Sequence, residues 1–208
     1  MKPLKTSILI LTGALLCIFS CVKKTKESTF KNQDKEVLEK VTANSDTLKI
    51  GYTYWWPQSG PFIGHCGEPY SLVFLGTVLD IKKENSTSNY TSKIGTTSID
   101  QVLFVKNVKN NSFKKQQYFV SDCFANINLA KEDKVIVFCY SYEDSYSIPG
   151  GKSILKISGI NDPVVGSIKK YIQSNQNPLV IKQDSTLWKE QKLDSELKQI
   201  IACKETFL

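Results

Sequence analysis

Residues 70 to 81 read "YSLVFLGTVLDI", from Tyr70 to Ile81. Aliphatic, aromatic and β-branched residues fill this run, so it is a strand, and the way it is covered decides the fold. Four further runs share that character: "SIDQVLFVKNVKN" (98–110), "QQYFVS" (116–121), "DKVIVFCYSY" (133–142) and "GKSILKISG" (151–159). Between them lie "KKENSTSNYTSKIGTT" (82–97), "KNNSFKK" (109–115) and "EDSYSIPGGK" (143–152), rich in Asn, Ser, Gly and Lys and therefore turn-forming. Five short strands with uneven loops suit a small closed barrel of the oligonucleotide/oligosaccharide-binding (OB) type better than a sandwich, which usually has seven or more strands.

Helical signals follow the strands. "NDPVVGSIKKYIQ" (161–173) places an Asn or Asp cap ahead of Pro163 in the first turn. "DSTLWKEQKLDSELKQIIAC" (184–203) sets Leu193, Leu197, Ile200 and Ile201 on one face behind an Asp184 or Ser185 cap. The expected fold is mainly β, a five-stranded OB-like closed barrel with C-terminal helices, α+β overall.

Outward toward the start, "TLKIGYTYWWPQSGPFIGHCGEPY" (47–70) is dense in aromatics and punctuated by Gly and Pro. Trp55 and Trp56 read first as a flap packed over the barrel's open end and second as a binding surface, together with Cys66, Gly67 and Glu68. Earlier still, Val22 to Asp46 is polar and reads as a flexible tether. The opening "MKPLKTSILILTGALLCIFSC" has Lys2 and Lys5 before an apolar run from Ile8 to Phe19, the pattern of an export signal. That run is shorter than the roughly 20 apolar residues a membrane-spanning helix needs.

The end of this segment, "IFSC", resembles the lipobox of bacterial lipoproteins, with aliphatic Ile18 and small Ser20 before Cys21. The resemblance implies a signal peptide over 1–20, a lipidated Cys21, a tether over 21–46 and a domain over 47–208. It also implies a cell-envelope location, anchored to a membrane through acyl chains on Cys21. Val22 after that cysteine, where inner-membrane retention would use Asp, points to the outer membrane by resemblance to enteric lipoproteins. Several acyl chains at about 0.8 kcal/mol per buried methylene make such an anchor effectively permanent.

Lysine and arginine total 27 against 20 acids, and every one of the 27 is lysine. Without arginine the bidentate fork that reads phosphates and guanine edges is missing, and the lysine pairs lack interleaved aromatics, so nucleic acid is not an expected partner. The chain holds one histidine, His65, and it adjoins Cys66. Neighbours on an extended chain point to opposite faces, which misaims a nucleophile and its base. Glu143 and Asp144 adjoin in a stretch with hairpin-tip composition and read as a solvated turn. No catalytic residue, cofactor or metal is expected, since a zinc site wants three or four ligands and clustered cysteines.

With Cys17 removed in the signal and Cys21 lipidated, Cys66, Cys123, Cys139 and Cys203 remain. An even number in an exported chain favours disulfides, with three possible connectivities. The order of elements, a cysteine before "SLVFLGTVLDI", the strand "VLFVKNVKN" and then "YFVSDCFANINLAKEDKVIVFCYS", resembles the netrin-like domain of tissue inhibitors of metalloproteinases and their bacterial relatives. The resemblance spans roughly Cys66 to Ser158. It implies the OB barrel and a Cys66–Cys123 disulfide, which would leave Cys139 with Cys203. The inhibitors' N-terminal Cys-x-Cys, whose free amine clamps a protease zinc, has no counterpart in "HCGE". The expected function is a membrane-anchored, non-catalytic binding module for a protein partner. The alternatives are an exported hydrolase or thiol enzyme using His65 and Cys66, and a purely structural envelope lipoprotein.

Overall fold

The computed structural model describes residues 46–53, 56–87, 90–125 and 127–207, without side chains for 83–92. The expected signal over 1–20, the expected lipidation site Cys21, most of the expected tether and Trp55 lie outside the described residues. Among the described residues there are eight strands: β1 (Thr47–Lys49), β2 (Leu72–Thr87), β3 (Tyr90–Ser98), β4 (Gln101–Val105), β5 (Tyr118–Ser121), β6 (Lys134–Tyr142), β7 (Ser145–Ser147) and β8 (Ile154–Ile157). Three α-helices follow, α1 (Pro163–Gln173), α2 (Ser185–Glu190) and α3 (Asp194–Thr206). Short 3-10 turns occupy Gly151–Ser153 and Pro178–Asp184.

The strands form one mixed sheet in the order β1-β5-β3-β2-β6-β7, with β4 added to β2 and β8 to β6. The β1–β5 pair is parallel and the other ladders are antiparallel. Strand β2 organises the sheet. Its first half pairs with β6 from Leu72–Cys139 to Thr77–Lys134 and with β4 from Leu72–Val105 to Leu75–Gln101. Beyond Val78 it leaves β4 and pairs with β3. Gly76 lies at that change of partner, where a Cβ would stand 2.3 Å from the Ser98 carbonyl oxygen, so only glycine lets the β3–β4 turn pass this close.

The expected five-stranded closed barrel is therefore corrected: the sheet has eight strands and is open. Its two ends meet at one bridge pair, Tyr52 with Ile148, and not through a ladder. The physical reason is visible in the quoted run. Leu72, Phe74 and Val78 enter one apolar core with Val135, Val137, Cys139 and Phe119, whereas Val73 and Leu75 enter a second with Ile136, Phe138, Tyr140 and the helices. A strand buried on both faces reads as a continuous apolar run, while the wall of a closed barrel alternates between inside and outside.

Strands β1, β3 and β7 lie in stretches that look like turns or carry few apolar residues. Helix α1 follows its sequence signals: Asp162 caps it, accepting from the Val164 N–H at 2.9 Å, and Pro163 is its first residue. The segment 184–203, expected as one helix, is broken instead. The chain turns through Lys192, at φ 56°, and Leu193 N–H donates to the Trp188 carbonyl at 2.8 Å. The break buries Leu193 completely in the helix-side core alongside Trp188.

Candidate functional site: a stapled loop and an apolar cleft

The loop from Gln58 to Tyr70 lies on α3. Phe62, Ile63 and Tyr70 are buried in the helix-side core, where Phe62 meets Trp188 edge-on at 4.7 Å and Tyr70 meets Tyr171 at 5.6 Å. Buried tyrosine hydroxyls satisfy the loop's carbonyls: Tyr140 Oη donates to Gly60 O at 2.5 Å and Tyr70 Oη to Pro61 O at 2.8 Å. Burial raises the pKa of both phenols, and the neighbouring tyrosines add to the shift, so both remain protonated donors. Gln199 of α3 donates to Gly64 O at 3.2 Å, and Gln58 Oε1 accepts from Gly64 N–H at 2.9 Å.

Cys66 and Cys203 form a disulfide across this contact, with Cα atoms 5.1 Å apart and a sequence separation of 137. Gly67, at φ 89°, turns the chain beneath the Tyr171 hydroxyl and Ile200, and Glu68 N–H closes the turn on Ile63 O at 2.8 Å. The implied Cys66–Cys123 and Cys139–Cys203 pairings are thus corrected. Cys123 and Cys139 are unpaired thiols in the core on the other side of the sheet, because Cys139 points away from the helices that carry Cys203. Burial pushes the Cys123 thiol up to about 12 and Cys139 well above the usual thiol range, so neither is a thiolate at neutral pH.

Of the other expected binding residues, Trp56 is half-buried against the helix-side core, Cys66 is exposed, and Gly67 and Glu68 are half-buried. Cys66 and Gly67 therefore serve the staple directly. The hairpin reading of Glu143 and Asp144 fits the β6–β7 turn, where both take positive φ.

A second feature was not legible in the sequence. An open cleft of about 470 Å³ lies where β2, β4, β6 and β8 converge, lined by Leu75, Gly76, Asp100, Gln101, Lys134, Ile157, Gly159 and Ile160. Leu75 and Ile157 form its apolar floor, and Ile160, in the β8–α1 connection, is 54% exposed at its rim. The opposite rim is polar. Asp100 accepts from Thr77 Oγ1 and from Ser98 Oγ, each at 2.6 Å, and Lys134 Nζ donates to Thr77 Oγ1 at 2.6 Å while lying 3.6 Å from Asp100.

Partial burial would raise the Asp100 pKa, but the Ser98 and Thr77 hydroxyls and the Lys134 charge outweigh it and hold the carboxyl below its usual range. Asp100, Thr77, Ser98 and Lys134 are all partnered within this cluster. The cluster clamps the β3–β4 turn to β2 and β6 and leaves the floor open for an apolar group.

No protein-family model matches the chain, and no curated protein or solved structure matches it. The netrin-like relationship accordingly stays a resemblance carried by the motifs quoted above. Among the described residues no helix is long and apolar enough to cross a membrane. By fold the protein belongs to the α+β class, an open mixed sheet with helices packed on one of its faces.

Proposed function

We propose that the protein is an exported lipoprotein, anchored through Cys21, whose α+β domain is a non-catalytic binding module for a protein partner. One observation carries the reading: the apolar floor at Leu75 and Ile157, with Ile160 at its rim, lies open beside β4. Strand β4 pairs with β2 along one edge, and no strand occupies its other edge among the described residues. An edge strand next to an apolar pocket suits an extended segment of a partner, which adds main-chain hydrogen bonds along β4 and inserts one side chain into the cleft. The Lys134–Asp100 rim is internally neutralised, so the inserted side chain is apolar.

The thiol-enzyme alternative is disfavoured because the Cys66 sulfur is committed to Cys203, and Cys123 and Cys139 are buried. Site-specific photo-crosslinking in cells, with a benzophenone amino acid at Gln101 and a control at exposed Val180, tests the proposal. A discrete adduct from position 101, lost in I160D and reproduced with the purified partner identified from it, is the expected result. Equal adducts from both positions, or adducts indifferent to I160D, would remove the cleft from the account.

A further inference from the structure

We propose that reduction of the Cys66–Cys203 disulfide opens a three-ligand site for a zinc-class divalent cation, completed by His65. The ligand atoms of His65, Cys66 and Cys203 all lie within 4.8 Å of one another, and His65 and Cys66 are exposed while Cys203 is buried at the base. Two thiolates and one imidazole form the donor set that zinc accepts with a fourth position left to water, at about 2.3 Å to sulfur and 2.0 Å to nitrogen. Tetrahedral binding needs the two sulfurs about 3.8 Å apart, and α-carbons 5.1 Å apart allow that separation by side-chain rotation alone.

The ligands keep their places once the bond opens, because other contacts hold both sides. Gln199, one helical turn before Cys203, donates to Gly64 O, and Gln58 holds Gly64 N–H. Phe62 and Ile63 anchor the loop in the core, and Ile200 and Ile201 anchor α3. Exposure of Cys66 gives an attacking thiol access.

The chemistry balances with an external dithiol as reductant. Its thiolate attacks the disulfide through a mixed disulfide, the reductant leaves as its own disulfide, and Cys66 and Cys203 become thiols. The cation then displaces one proton from each thiol, while neutral His65 donates a lone pair. The oxidised chain lacks both thiolate ligands, so the bond works as a redox gate on metal binding.

The test uses the purified full chain, oxidised or reduced with dithiothreitol that is then removed without air. Zn²⁺ is titrated by dye competition, and Co²⁺ absorbance reports thiolate ligation. The reduced chain is expected to take up one equivalent and the oxidised chain none. Because even supporting residues around a metal alter affinity by about 10- to 100-fold, losing a direct ligand in H65A or H65Q is expected to weaken binding at least tenfold. C66S/C203S, which removes both thiolates, is expected to abolish the thiolate-to-cobalt band. The proposal is overturned if reduced wild type binds no metal, if H65A and H65Q bind as tightly as wild type, if C66S/C203S retains the band, or if tryptophan fluorescence shows that reduction alone unfolds the chain.

Discussion

Replacing Cys66 and Cys203 together by alanine removes the only disulfide among the described residues. The bridge closes 137 residues, and in the chain-entropy model a loop of that length restricts the unfolded chain by about 5 kcal/mol at 25 °C. Measured losses for such bridges run from about 2 to 5 kcal/mol. Here the native state retains the Gln199–Gly64 and Gln58–Gly64 hydrogen bonds and all aromatic packing, so the effect lies mainly in the unfolded ensemble. With a urea slope of about 2 kcal/mol per molar, the unfolding midpoint falls by about 1 to 2.5 M. Tryptophan fluorescence reads the transition, since Trp188 is fully buried against Phe62 and becomes exposed on unfolding. Reductant should lower the wild-type midpoint by the same amount and leave the double variant unmoved. A shift below about 0.5 M, or about 1 kcal/mol at that slope, would refute the reasoning. A further drop when reductant is added to the double variant would mean that Cys123 and Cys139 are bridged, contrary to the structure.

Three more outcomes are expected. G76A pushes a methyl group to within 2.3 Å of the Ser98 carbonyl, main chain that cannot swing aside, and should destabilise the fold by about 1 to 3 kcal/mol in urea unfolding; a neutral effect would contradict the close passage of the β3–β4 turn. The Asp100 carboxyl titrates lower in the folded state than in the unfolded chain. Its contribution is therefore present above the ordinary carboxylate pKa of about 3.9 and disappears as pH falls through the lower folded value, so D100N should flatten the acid side of the stability profile below about pH 5. The Cys123 and Cys139 thiols are buried and protonated; iodoacetamide at pH 8 should label neither in the native, unreduced chain and both in urea, as counted by intact mass.

The five expected strands overlap β2, β4, β5, β6 and β8, because their apolar runs are long enough to stand out from their neighbours. Strand β3 did not stand out: "NYTSKIGTT" is polar and small, and Gly95 gives way to the Phe124 ring, a relation that local sequence does not encode. The cap Asp162 with Pro163 was legible because both act within one turn. The break at Lys192 was not, since continuous helical periodicity runs through it and burial of Leu193 decides where the chain turns. Trp56 shows the same limit, as an aromatic that serves a core or a ligand equally well in sequence and packs here on the core.

By itself the sequence determined composition, the strand-forming runs and the start of α1. Tertiary structure alone decided that Leu72 to Val78 are covered on both faces, which opens the sheet where a barrel would close, and that Cys66 meets a cysteine 137 residues away. It also brought His65 beside both sulfurs and left the cleft open beside β4. The division has a physical cause. Propensities, caps and periodicity act over a few residues along the chain, whereas disulfide pairing, two-sided burial and clefts arise from pairs of residues that only folding brings within a few ångströms.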